Sequence, residues 1–168
     1  MDLLNLLLSR RSIRRYTESP IPQRALETIL AAGLLSPSSR GRRPWEFVVV
    51  QNPKTLEALS HCRQGSAAML AGAKAAILVF ADPEKTDVWT EDCAIAMSNK
   101  HLMAHHLGLG SCWIHRARQV FDGPQGKQLL QRWGLPQSLC GVGHGILGYA
   151  DGEPAAPAPR KEGYIHRV

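Results

Sequence analysis

The sequence predicts one domain in which helices cover a single β-sheet, of α+β or α/β class. Three observations lead there. Residues 47–50 (Phe47, Val48, Val49, Val50) and 75–81 are short, continuous apolar runs of strand length. Residues 89–107 form a longer segment with apolar and small residues around much of a helical circumference. These stretches alternate with amphipathic helical patterns, with no internal repeat and no break in composition before Asp151.

The elements follow in order. Leu3, Leu4, Leu6, Leu7 and Leu8 give a broad apolar helical face, and Asp2 stands where an N-cap belongs. The arginines that begin at Arg10 end this helix. Residues 13–16 run extended into Pro20 and Pro22, because the residue before a proline avoids helical angles. A second helix spans 22–34, with Pro22 suited to its first turn and Leu26, Ile29, Leu30 and Leu34 at helical spacing. Residues 36–45 hold prolines, glycine, serines and three arginines, and read as a loop. The run 47–50 does not alternate, so it is expected to be buried on both faces. Asn52 and Pro53 turn into a helix carrying Leu56 and Leu59, and 61–72 reads as a loop with a short helix. The strand 75–81 closes at Asp82-Pro83. The long helix on Ala94, Met97, His101, Met103 and His105 is expected to be central, and Gly108 and Gly110 end it. Residues 111–114 form a short strand or turn, 125–133 a helix, and 139–149 a Gly-rich strand. Residues 151–159 are an extended Pro/Ala-rich surface segment, and Tyr164 and Ile165 in the basic tail suggest a further strand.

Composition bounds the function. Of 168 residues, 44% are apolar and 20% charged, which fits a globular core rather than a disordered chain. The formal net charge of +6 favours an anionic partner. The positive charge is concentrated near residues 10–15, 40–43, 116–118 and 160–167. Aromatics do not interleave with these clusters, so a nucleic-acid stacking platform is not expected. No window reaches the roughly 20 apolar residues of a membrane span. The run 3–8 is too short for a signal sequence and precedes its arginines, so a cytoplasmic protein is expected. Cys62, Cys93, Cys112 and Cys140 are widely spaced, with no CxxC pair, and read as free thiols in a reducing compartment.

Chemistry-bearing motifs are few. Residues 143–148 spell GxGxxG, but a proline-rich segment follows instead of the helix, strand and acid of a dinucleotide fold. The glycines read as close packing along a strand. His101 and His105 share a helical face without a local third ligand, and no metal is expected. No nucleophile elbow or paired carboxylates stand out, so any catalysis belongs to a bound cofactor. The densest cluster is Arg10-Arg11-Ser12-Ile13-Arg14-Arg15-Tyr16. Guanidinium forks and a hydroxyl at a helix end suit a phosphate, although a solvated basic patch would look the same.

That stretch closely resembles the opening motif of the nitroreductase family of FMN flavoproteins. Further stretches resemble it in order: Pro37-Ser38-Ser39, Arg43-Pro44-Trp45-Glu46-Phe47, Asn99, residues 108–114, Leu147-Gly148-Tyr149 and Pro159-Arg160-Lys161. The resemblance implies an α+β fold, a mixed sheet flanked by helices and built as an intertwined homodimer. The whole chain, 1–168, would be one FMN-binding domain, with 151–168 an arm packing on the partner subunit. Arg10, Arg11 and Ser12 would hold the FMN phosphate and ribityl chain, and Arg14 would lie by the pyrimidine edge of the ring. Pro37, Ser38 and Ser39 would come from the other subunit. Gly143, His144 and Gly145 would lie beside the ring, and Arg160 with Lys161 would return to the phosphate. The implied activity is ping-pong transfer of hydride from NADH or NADPH through FMN to a nitroaromatic, quinone or similar small acceptor. A non-catalytic FMN-binding or sensing dimer is the alternative, and a basic nucleic-acid-binding protein a more remote one. The loop departs from the family pattern: Gly41 and Arg43 stand where Asn and Gln are common, which makes the flavin entrance more cationic.

Overall fold

The structure is a computed structural model and describes residues 2–62 and 67–168. Its helices are α1 (Leu3–Ser9), α2 (Gln23–Leu34), α3 (Pro53–His61), α4 (Trp89–His106), α5 (Ala117–Asp122) and α6 (Pro124–Arg132). Its strands are β1 (Trp45–Val50), β2 (Ala75–Ala81), β3 (Gly110–Ile114) and β4 (Cys140–Gly148), with 3-10 turns at Ser39–Gly41 and Ala68–Leu70. The sheet order is β1-β2-β4-β3, and all three ladders are antiparallel. The one parallel pairing among the described residues is an isolated bridge between Ser12 and Ser111.

Local chemistry starts most elements where the sequence suggests. The Asp2 carboxylate accepts from Asn5 N–H and caps α1. Asn52 caps α3 in the same way, with Pro53 in its first turn. Pro22 is the N-cap of α2 rather than part of its first turn.

The pleat of β2 sorts the core, and every residue of this strand is buried. Ala75 and Ile77 pack with Leu26 and Ile29 of α2 and Ala104 of α4. Val79 and Ala81 meet Cys93, Ala96 and Met97 of α4. Leu78 and Phe80 face the other way, toward Leu56, Phe121 and Leu130 of α3, α5 and α6. Alternate side chains of one strand thus feed two helical layers.

Two further expectations are corrected. β1 is an edge strand, with Glu46 and Val49 exposed, so the run 47–50 is not buried on both faces. Strand position depends on sheet order, which an apolar run does not encode. Tyr164 and Ile165 form no strand, and residues 151–168 are exposed throughout. Helix α5 is an element the sequence reading does not anticipate; its N-cap, Arg116, has a left-handed backbone (φ 70) and makes no side-chain cap. Part of the expected 61–72 loop, residues 63–66, lies outside the described residues.

Candidate functional site

The arginine segment is docked along the sheet edge. Arg10 closes α1 by donating its N–H to Leu6 O. Ile13 N–H then donates to Ser111 O (2.9 Å), beside the Ser12–Ser111 bridge. The Tyr16 hydroxyl donates to Ile13 O (2.6 Å), and Thr17 N–H donates to Tyr149 O (2.9 Å). Two glycines permit this approach. A Cβ on Gly110 would stand 2.7 Å from the Ile13 side chain, and one on Gly148 would stand 2.7 Å from Tyr16. These are contacts that only a missing side chain allows.

Two clefts flank the docked segment. One, of about 370 Å³, lies between residues 11–15 and 151–155. The other, of about 260 Å³, is lined by Arg10, Ser12, Ser98, His101, Cys112 and Trp113. Ser12 belongs to both. Arg11 folds back on α1, donating from Nη1 to Leu8 O (2.8 Å) and Arg10 O (2.6 Å). This sets a cation on the carbonyl end of the helix. Arg14 donates weakly to Ser12 O at 3.4 Å.

Electrostatics in the second cleft follow from burial and from Arg10. The His101 Nδ1 and the Ser111 hydroxyl share a hydrogen bond of 2.8 Å. Burial, reinforced by the cations of Arg10 and Lys100, lowers the His101 pKa to about 4. His101 is therefore neutral at ordinary pH, and its Nε2 is buried with no protein partner. The Cys112 thiol is pushed up by burial, against the pull of Arg14. A neutral imidazole, a protonated thiol, an indole and the Arg10 guanidinium leave this region cationic with an aromatic wall. That donor set fits a phosphorylated ligand with an aromatic portion.

The other sequence-predicted residues divide. Pro37, Ser38 and Ser39 lie in the loop before β1, where Ser39 N–H donates to Asp92 Oδ1 (2.8 Å) and Arg43 N–H donates to Ser38 Oγ (2.9 Å). Asp92 and His101 are nine positions apart on α4, about 14 Å along its axis. Within one chain Pro37, Ser38 and Ser39 line neither cleft, although Ser36 at the start of this loop accepts from Asn99 Nδ2 (2.8 Å), next to the cleft residue Ser98. Gly143 and Gly145 lie beneath the cleft walls: a Cβ on Gly143 would run into the Trp113 indole, and one on Gly145 would stand 3.1 Å from Met97 Sδ. They serve the packing expected of strand glycines. His144 lies elsewhere. The pleat of β4 turns it to the opposite face, where its ring is 6.0 Å from that of Phe121 and Nδ1 is 3.3 Å from Ile114 O. It lines neither cleft, because adjacent strand residues point opposite ways. Arg160 and Lys161 are exposed on the arm, with Lys161 Nζ 5.3 Å from the Tyr164 ring.

His101 and Ser98 are lining residues that sequence reasoning missed. His101 draws notice in the sequence only as a metal pair with His105, yet the two part company. His105 Nε2 meets Ser9 Oγ at 2.8 Å, whereas His101 turns to Ser111. Ser98 carries no sequence signal.

Fold and clefts together define a class: an α+β protein with basic, partly aromatic clefts of a kind that suits a phosphorylated ligand. Comparison with known proteins makes it specific. Residues 7–63 and 56–149 match the Nitroreductase family, and the chain belongs to that family. It is 41% identical to an FMN-dependent nitroreductase of Clostridium difficile R20291, covering 93% of this chain and 92% of that one, with a TM-score of 0.83. It is 29% identical to a nitroreductase with bound FMN from Bacteroides fragilis, with a TM-score of 0.88 over 100% and 99% of the two chains. A relative from Archaeoglobus fulgidus, named "Putative NADH dehydrogenase/NAD(P)H nitroreductase", is 34% identical over 157 residues, 90% of this chain and 87% of its own.

Proposed function

We propose that the protein is an FMN-dependent NAD(P)H oxidoreductase working as a homodimer. The observation that carries this reading is the Arg10–Arg14 segment, pinned to Ser111 between two clefts, in a chain that matches FMN-bound relatives over nearly its whole length. When bound, FMN supplies hydride acceptance from NAD(P)H and hydride delivery to a nitroaromatic, quinone or similar acceptor. The protein's own residues bind and orient. Arg10, Arg11 and Ser12 hold the phosphate and ribityl chain through charge-assisted hydrogen bonds. Arg14 is assigned to the pyrimidine edge of the ring, where a fixed cation stabilises negative charge. Gly143 and Gly145 act from below, by letting Trp113 and Met97 settle against the sheet. His144 has no part in binding.

The dimer completes the site. Leu3, Leu4, Leu7 and Leu8 of α1 are each at least half exposed, an apolar face with no partner in the single chain. The exposed arm 151–168 has no core of its own, and docking on a second copy would cover it. The same pairing brings Pro37, Ser38 and Ser39 toward the partner's cleft and returns Arg160 and Lys161 to a phosphate.

The visible absorption spectrum of the purified protein tests the reading. Flavin bands that bleach on adding NADH or NADPH are expected. A protein that stays colourless after incubation with FMN and removal of the excess sinks it. Double-reciprocal plots for reductant and acceptor are expected to be parallel, as one pocket used in turn requires. Intersecting lines would refute the shared pocket.

A further inference from the structure

The loop before β1 carries a second arginine cluster, Arg40, Arg42 and Arg43, all exposed. Its backbone is closed on itself. Gly41 N–H donates to Ser38 O (3.0 Å), Arg42 N–H to Ser39 O (3.0 Å) and Arg43 N–H to Ser38 Oγ (2.9 Å). Asp92, buried at the start of α4, anchors the loop through Ser39 N–H. Arg40 (φ 50), Gly41 (φ 66) and Arg43 (φ 47) are all left-handed, a conformation that arginine adopts only when its surroundings impose it. The loop is therefore a fixed platform, and its arginine side chains are what it offers to solvent. Among the described residues none of the three forms an ion pair. The carboxylate that touches the loop, Asp92, binds a backbone N–H instead.

Three guanidiniums within four residues, carried on a closed backbone and without a counter-ion among the described residues, suit a compact dianion. The FMN phosphate already has Arg10, Arg11 and Ser12 in the reading above, on which this inference rests. The remaining dianion in that chemistry is the 2′-phosphate that separates NADPH from NADH, a group for which arginine is the usual receptor. We propose that Arg40, Arg42 and Arg43 recognise the 2′-phosphate of the reductant entering the adjoining subunit's site, and so make NADPH the preferred hydride donor.

The test is the ratio of kcat/KM for NADPH to that for NADH, measured on the FMN-loaded dimer. The wild type is expected to favour NADPH by about tenfold or more, the size of one or two charge-assisted contacts. The ratio falls toward one in the Arg40→Ala/Arg42→Ala double variant, is largely kept in Arg42→Lys, and drops further in Arg42→Glu. A binding measurement runs alongside: 2′-AMP inhibits the wild type more strongly than 5′-AMP, and this difference vanishes in the double variant. Melting curves check that each exposed substitution leaves the fold intact. A wild type that uses both reductants equally or prefers NADH overturns the proposal, as does a ratio unmoved by Arg42→Glu. Retention of FMN with oxidation of NADH alone defeats this inference and leaves the FMN reading standing. A protein that takes up no FMN defeats both.

Discussion

The chain has two dense arginine clusters, and the contrast between them is instructive. Residues 10–15 and 40–43 look alike as sequence. In the structure the first lies along β3, tied to Ser111 and Asp151, with clefts on either side. The second sits on a self-closed turn with its side chains in solvent. Arginine density alone therefore identifies neither a site nor its ligand. The backbone that carries the guanidiniums decides: one cluster walls a cavity, the other stands in solvent on a closed turn.

Breaking the docking of the first cluster has the largest expected effect. Gly110→Val drives a branched side chain into Ile13 and levers the segment off β3. We expect a loss of about 3 kcal/mol or more in urea unfolding, together with loss of FMN uptake. Gly41→Ala in the second cluster meets no atom within 4 Å and suffers only from its left-handed backbone, a cost of about 1 kcal/mol. Equal losses at the two glycines would erase the contrast.

Lys100, on the helix that spans the two regions, is next. Its ammonium is buried 3.7 Å from the Phe47 ring centroid with no hydrogen-bond partner among the described residues, and burial lowers its pKa to about 7. The unfolded chain binds that proton up to pH 10.5 and the folded chain does not, so native stability rises between about pH 7 and 10.5. Lys100→Met removes the buried amine and is expected to stabilise the fold by about 1–4 kcal/mol at pH 7 and to flatten this alkaline rise. A destabilised variant would show that Lys100 has a partner in the dimer.

The histidines give a smaller, acid-side effect. Burial lowers the pKa of both His101 and His144 to about 4, from 6.5. Between those values the unfolded chain takes up protons that the folded chain refuses, so stability is lost as pH falls from about 6.5 to 4. Each histidine contributes on the order of 3 kcal/mol across that window at most. FMN bound against Arg10 should protect His101 without affecting His144. Following both imidazoles by NMR during acidification, with and without FMN, would separate the cleft histidine from the core one. Identical behaviour of the two would count against the second cleft as the ligand site.

The smallest effect belongs to the strained turn. Arg43→Gly relieves a left-handed arginine (φ 47) and is expected to stabilise the fold by about 0.5–1 kcal/mol in thermal melts. No gain would mean that the arginine side chain repays its strain through contacts in the dimer.

Much of this was legible in the sequence, and the failures have physical causes. The cap at Asp2, the helix after Asn52-Pro53 and the buried run 75–81 all depend on neighbouring residues, and they form as expected. The burial of 47–50 depends on which strand lies outermost, information held by the whole sheet. The resemblance groups His144 with Gly143 and Gly145, whereas the pleat alternates them: the two glycines sit under the cleft and the His144 side chain turns to Phe121. His101 was passed over because its role depends on Ser111, ten positions away across the turn that ends α4. The arginines of 10–15 stood out by chemistry alone, but only the Ser12–Ser111 pairing shows what fixes them.

FMN affinity of Arg10→Ala beside Arg167→Ala, followed by flavin fluorescence, tests the central claim most directly. Arg10 lines the second cleft, and Arg167 lies far along the exposed arm. The expected result is an affinity about a hundredfold weaker for Arg10→Ala and within about twofold of wild type for Arg167→Ala. Equal affinities in the two variants would contradict the assignment of the arginine segment as the cofactor's phosphate site.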